Sequence, residues 1–151
     1  MAVVSDSGPL IALERIRQLE LLPALFNRIL VPPAVKEEFA PSDRLPEWLQ
    51  LQPAKQPPRL ASLQLSLGAG EREALSLSLE LRASLLLVDD KAARRAATGL
   101  GIPIIGTLGI LVSAKRRGLL QRVGPHLDAL QRASFYLAPG LYARILKDAD
   151  E

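Results

Sequence analysis

The chain has 151 residues, 48% of them hydrophobic and 4% aromatic, with a formal net charge of +3, one histidine and no cysteine. That is one domain, large enough to bury a core of Leu, Ile, Val and Ala, in which disulfides and thiolate metal sites are excluded and a His/Cys zinc site is disfavoured. No apolar run reaches the length of a membrane span and Asp6 interrupts any signal-like start, so the cytoplasm is the expected compartment, while mild basicity permits a nucleic-acid partner without requiring one.

Ala2-Val3-Val4-Ser5 reads as a short strand, and Asp6-Ser7-Gly8-Pro9 as the turn that follows it. Leu10, Ile11, Leu13 and Ile16 suit a helix, with Pro9 in its first turn, where no N–H is needed. Strand, acidic turn and helix together open a parallel α/β unit. Leu19–Phe26 predicts a second helical piece, Arg28–Val31 a second strand, and Pro32-Pro33 ends that strand and opens a helix over Ala34–Phe39. Ala40–Pro58 carries five prolines and reads as a surface excursion, with Leu49-Gln50-Leu51 a short edge strand within it.

Leu67-Gly68-Ala69-Gly70 leads into a segment, Glu71 to Leu81, whose leucines fall on every second position. Period alone suggests a strand. Length, the glycines before it, the acidic first turn and the lack of β-branched residues predict a helix instead, buried nearly all round. Leu85–Val88 predicts a strand, Lys91–Leu100 a helix, Ile102–Ile105 a last strand at an edge, and Leu108–Arg117 a helix closed by Gly118. Two amphipathic helices, Gly124–Ala133 and Pro139–Ala149, finish the chain and either complete the core or meet a partner. The fold class is therefore α/β, a single domain over 1–151 with a four- to five-stranded parallel sheet between helices. If the chain winds outward through strands two and three and returns past strand one, the order is 3-2-1-4-5. The strands ending at Asp6 and Asp89 are then neighbours, and their gap is the place where open α/β sheets bind ligands.

Four segments carry a family likeness: Val4–Ile11, Val31–Phe39, Gly68–Ala74 and Leu87–Lys91. Together with Ile105–Gly109 they resemble the PIN-domain ribonucleases, most of all a prokaryotic branch related to the VapC-type toxins. The likeness runs in one element order from the first strand to about Gly118; no single motif is specific, but the ordered set is. It implies a PIN-like three-layer α/β/α fold with extra C-terminal helices, Mg²⁺ or Mn²⁺ as cofactor, an RNA substrate, a homodimer and a small antitoxin partner. Carried over residue by residue, the family's first acid falls on Asp6 and the second on Glu38, with Glu37 one residue away. The third falls on Glu71, with Glu73 as the alternative, and the fourth lies in Asp89-Asp90. Asp6, Glu71, Asp89 and Asp90 are the expected metal ligands. Glu38 is expected at the rim of the site.

Taken singly, each acid has a structural explanation. Asp6, Ser7, Asp89 and Asp90 suit helix caps, Glu71 and Glu73 suit a first turn, and Glu37 and Glu38 suit a solvated face. Capping does not predict that all should meet at one sheet edge. Carboxylates gathered there repel, and a hard divalent cation with oxygen ligands removes the penalty. Ser7, Lys91, Arg94 and Thr107 are the expected substrate contacts, with Lys91 and Arg94 one turn apart and able to hold an RNA backbone beside the acids; for Thr107 a cap on its own helix is the first expectation, and both roles are compatible. Burial is the expectation for Trp48 and Tyr136, base stacking the alternative. Gly68-x-Gly70 is not followed by Gly-Lys-Ser/Thr, which excludes a nucleotide P-loop. Two other functions fit part of the sequence. One is a catalytically inactive PIN-like scaffold that binds protein or RNA. The other is a phospho-acceptor signalling module, which would leave Glu38 and Glu71 without a task.

Overall fold

The structure, a computed structural model, describes residues 1–55 and 67–151. The end of the proline-rich excursion, residues 56–58, lies outside the described residues. In chain order the elements are β1 (Val3–Ser5), α1 (Ser7–Arg15), α2 (Leu21–Phe26), β2 (Ile29–Val31), α3 (Pro33–Phe39) and β3 (Leu49–Leu51). They continue with α4 (Ala69–Leu81), β4 (Leu85–Leu87), α5 (Lys91–Gly99), β5 (Ile104–Ile105), α6 (Thr107–Arg116), α7 (Gly124–Arg132) and α8 (Leu141–Asp148).

All strand pairs are parallel, in the order β3-β2-β1-β4-β5, as the sequence predicts. Parallel strands need crossover helices, and those helices bury both sheet faces; hence strands this short are almost wholly apolar. Val4, Ile29, Val31, Leu86 and Leu87 are all fully buried. Each such side chain contributes roughly 1.5–3 kcal/mol on leaving water. β1 lies in the middle, with Val4 opposite Leu30 on one side and Leu86 on the other. The Asp6 N–H continues this ladder one residue past the strand by donating to the Leu87 carbonyl at 2.9 Å. The chain turns outward through β2 and β3, then returns to β4 and β5. The crevice at the carboxyl ends of β1 and β4 is therefore the switch point of the sheet.

The alternating leucines of α4 form a helix. Ala74, Leu75, Ser76, Leu77 and Ser78 are consecutive and all buried, so this helix is apolar nearly all round and its leucine period carries no strand signal. Ser76 stays compatible with burial by donating its hydroxyl to the Arg72 carbonyl at 2.8 Å. At the last strand the sequence predicts four residues and the structure has two. Pro103 has no N–H to pair, and its carbonyl accepts from Leu86 at 2.8 Å just before β5 begins. The final helix begins at Leu141 instead of Pro139, because Gly140 turns the chain with φ +82°, a conformation that favours glycine.

The closing helices complete the core: Leu127, Leu130 and Ile145 are buried. Among the described residues no helix is long and apolar enough to cross a membrane. The carboxylate of Glu151 ties the end of this segment to the start of α7, accepting from the N–H groups of Val123 at 2.6 Å and Gly124 at 3.1 Å. It also pairs with Lys115 at 3.0 Å. The Val123 bond, with help from Lys115 and Gly124, pulls its pKa down from 4.5 to about 2. A depressed carboxyl pKa adds stability above the unfolded value, and that stability is lost as pH falls through the folded value. Glu151→Gln should therefore lower the thermal midpoint by roughly 2–4 °C near neutral pH. The gap should close between pH 4.5 and about 2. Thermal melts of the two proteins across that range check it, and a gap that persists at pH 2 would refute the assignment.

Candidate metal centre

Three backbone segments converge at the carboxyl edge of the sheet. Asp6 follows β1 directly. Its backbone is extended, and its carboxylate does not cap α1, although its position is that of a cap residue. Glu38 lies in the last turn of α3 and Glu71 in the first turn of α4. One carboxylate oxygen from each of Asp6, Glu38 and Glu71 lies within 4.8 Å of the other two. Asp6 is 4% exposed, and its Oδ1 is buried with no hydrogen-bond partner among the described residues.

Two glycines make this approach possible. A Cβ at Gly70 would stand 1.8 Å from Oε1 of Glu38, and one at Gly68 would stand 2.8 Å from Oε2 of Glu71. Both carboxylates lie in space that any other residue would fill. The sequence marks these glycines only as the approach to a helix; their role as a cradle depends on where α3 comes to rest.

The electrostatics match the crowding. Burial pushes the Asp6 carboxyl up from 3.8 to about 7, partly opposed by the Ser7 N–H and reinforced by Glu71, Glu38 and Asp90. Burial, then Glu71 and Glu73, raise Glu38, and the nearby Ser7 hydroxyl partly offsets them. Asp89 is raised by burial, opposed by Thr107 and Arg94.

The structure thus gathers Glu38 with Asp6 and Glu71, Glu38 being the exposed member of the three, in keeping with the expectation of a rim position. It leaves Asp89 and Asp90 outside that cluster, and the reason lies in their bonds. Asp89 accepts from the Thr107 N–H at 2.7 Å and the Thr107 hydroxyl at 2.6 Å, which ties the end of β4 to the start of α6. Asp90 caps α5 through the Ala93 N–H at 2.9 Å. Thr107, expected to touch substrate, is fully buried in this tie. Arg94 turns back and donates to the Val88 carbonyl at 3.0 Å, while Lys91 is exposed. Glu73 points elsewhere than Glu71: its Oε1 accepts from the Ala34 N–H at 3.0 Å. Glu37 is exposed. Trp48 is half-buried, whereas Tyr136 is 78% exposed, against the expectation of burial.

An all-oxygen set of carboxylates, one with a buried oxygen lacking a donor, suits a hard divalent cation such as Mg²⁺ or Mn²⁺. In the metal-free protein the same set costs stability. A carboxyl whose pKa is raised on folding favours the fold below the unfolded value, and that contribution is lost as pH rises through the folded value. For Asp6 the window is 3.8 to about 7. Asp6→Asn should therefore stabilise the chelator-treated protein by about 1–3 kcal/mol at pH 8 and little at pH 4. Urea unfolding at the two pH values measures this, and an equal effect at both would show that ionisation of Asp6 is not the cause.

Comparison with known proteins agrees with the fold. A family model described as PIN domain matches residues 2–151. A solved structure, a PilT N-terminus domain protein from the hyperthermophilic archaeon Sulfolobus solfataricus P2, superposes with a TM-score of 0.55 at 23% identity. The match covers 76% of this chain and 93% of that one, and the likeness is one of fold. No curated protein matches the sequence.

Proposed function

The chain belongs to the PIN-domain family, and from that premise we propose that it is an endoribonuclease that hydrolyses RNA with Mg²⁺ or Mn²⁺ held by Asp6, Glu38 and Glu71. The family is generally one of nucleases. The observation that carries the reading is the Asp6 carboxylate: its buried Oδ1 has no hydrogen-bond partner among the described residues, and one of its oxygens lies within 4.8 Å of an oxygen from each of Glu38 and Glu71. Leaving such a group unsatisfied costs about 1–3 kcal/mol, and Asp6, although it stands at the cap position, makes no cap bond to α1 that would offset it.

A divalent cation, when bound, supplies Lewis acidity toward water and phosphate. The chain's own residues set the place for it. Asp6 is fixed by the ladder bond of its N–H to Leu87, and so moves only with the sheet. Glu38 and Glu71 come from two helices that meet over Gly70 and Gly68. Asp89, held by Thr107 and faced by Arg94, forms the neighbouring wall. Asp90 adds negative potential at Asp6. Exposed Lys91 is the cation best placed on α5 to meet an RNA backbone, since Arg94 is committed to Val88. In the same reading the chain is the toxin half of a toxin–antitoxin pair, a cytoplasmic homodimer restrained by a small protein partner; the likeness to VapC-type toxins supports this part.

Purified protein should cleave RNA, and not DNA of the same sequence, with added Mn²⁺. Asp6→Asn should reduce the rate by more than about 100-fold while the circular dichroism spectrum is unchanged. Expression of the wild type, but not of this variant, should slow growth of a bacterial host. Cleavage by Asp6→Asn at the wild-type rate would end the proposal.

Gly70→Ala gives a second check. The new methyl displaces the Glu38 carboxylate, so Mn²⁺ affinity by calorimetry should fall roughly 10-fold. Stability should hold or rise, because Ala is favoured over Gly inside a helix by about 1 kcal/mol. Unchanged affinity would remove Glu38 from the ligand set.

A further inference from the structure

Helix α3 cannot cap itself. Its cap position is Pro32, which has no side-chain acceptor, and Pro33 at its first position has no N–H. The Ala34 N–H is left as an orphan donor of the first turn. Its partner comes from elsewhere in the chain: Oε1 of Glu73, 39 residues away on α4, at 3.0 Å. Ala34 and Glu38 are four residues apart, so they share one face of α3. The same face meets α4 at a second point, where Oε1 of Glu38 lies over Gly70. From Ala34 to Glu38 the contacts on α4 step back from Glu73 to Gly70. A bond at one end and a steric cradle at the other fix α3 along α4.

Resting on the metal-site reading above, we infer that Glu73 is a positioning residue, which sets the Glu38 carboxylate against Asp6 and Glu71 by capping α3 from α4. It acts as a hydrogen-bond acceptor; its charge is not what the role requires, and that charge opposes ionisation of Glu38. Without the cap the seven-residue helix is free to slide or fray, and Glu38 moves with it. Glu71, on the body of α4, does not depend on the bond.

The test uses Glu73→Ala, Glu73→Gln, Glu38→Gln and the double variant Glu38→Gln/Glu73→Ala. Glu73→Gln keeps an oxygen acceptor and should bind Mn²⁺ as the wild type does. Glu73→Ala should bind roughly 10-fold more weakly, and the double variant no more weakly than Glu38→Gln alone. Equal weakening in Glu73→Ala and Glu73→Gln would assign the effect to charge and overturn the inference. Additive losses in the double variant would show that Glu73 does not act through Glu38, and would overturn it too. Crystal structures of the metal-free proteins give a readout that needs no metal. Glu38 should leave the space over Gly70 in Glu73→Ala and keep it in Glu73→Gln. Failure of the wild type to bind Mn²⁺ would sink the functional reading alone, and the metal-free structures would still decide the role of Glu73. Glu38 in place in Glu73→Ala would overturn it.

Discussion

The structure depends on one unfavourable arrangement: a carboxylate, Asp6, buried at the end of the central strand with two others facing it. Desolvation is the largest cost there, and the neighbouring acids add to it. Asp6 cannot relax outward, because its backbone is the last rung between β1 and β4. The core built from Val4, Leu86 and Leu87 holds that rung in place. Burial that stabilises the sheet is therefore the same burial that keeps Asp6 away from water.

The remaining acids at this edge are separated by their bonding. Asp89 has both oxygens engaged by Thr107 and serves to join β4 to α6. Asp90 and Glu73 each answer the free N–H groups of a helix start, α5 and α3 respectively. Asp6, Glu38 and Glu71 are the ones that gather without donors of that kind. Seven acids close in sequence to the site thus sort by partner: three into a cluster, one into a strand-to-helix tie, two into caps and one, Glu37, into solvent. The first group is the one whose oxygens are gathered closely enough to hold a hard cation.

Much of the fold was legible before any coordinates. Short apolar runs, each ended by an acid, a proline or a glycine, locate the strands and their order, because parallel α/β units restrict how such runs are connected. Even α4 could be read against its own leucine period, since helix length and composition outweigh alternation in a segment buried on all sides. The site was only half legible. Asp6 follows from its position at a strand end, whereas Glu38 and Glu71 come only from the resemblance, because their meeting depends on how α3 lies on α4. Thr107 and Asp89 are 18 residues apart, and nothing local says that they bond to each other instead of to a ligand. Tyr136 shows the same limit: a single aromatic does not declare which face of a loop it takes.

The cap on α3 has a consequence for the order in which this protein comes into being. Asp6 and Glu38 leave the ribosome early, but the partner of Ala34 is made 39 residues after it. Until α4 has emerged, the nascent chain holds two of the three clustered carboxylates on a sheet that still lacks β4 and on a helix with no cap of its own. Domains are made N-terminus first, at a pace of about 5–20 residues per second. For a few seconds of every synthesis, then, the growing polypeptide carries two of the three acids without the segment that completes the cluster. The cluster closes in one step, with the segment that brings both Glu71 and Glu73.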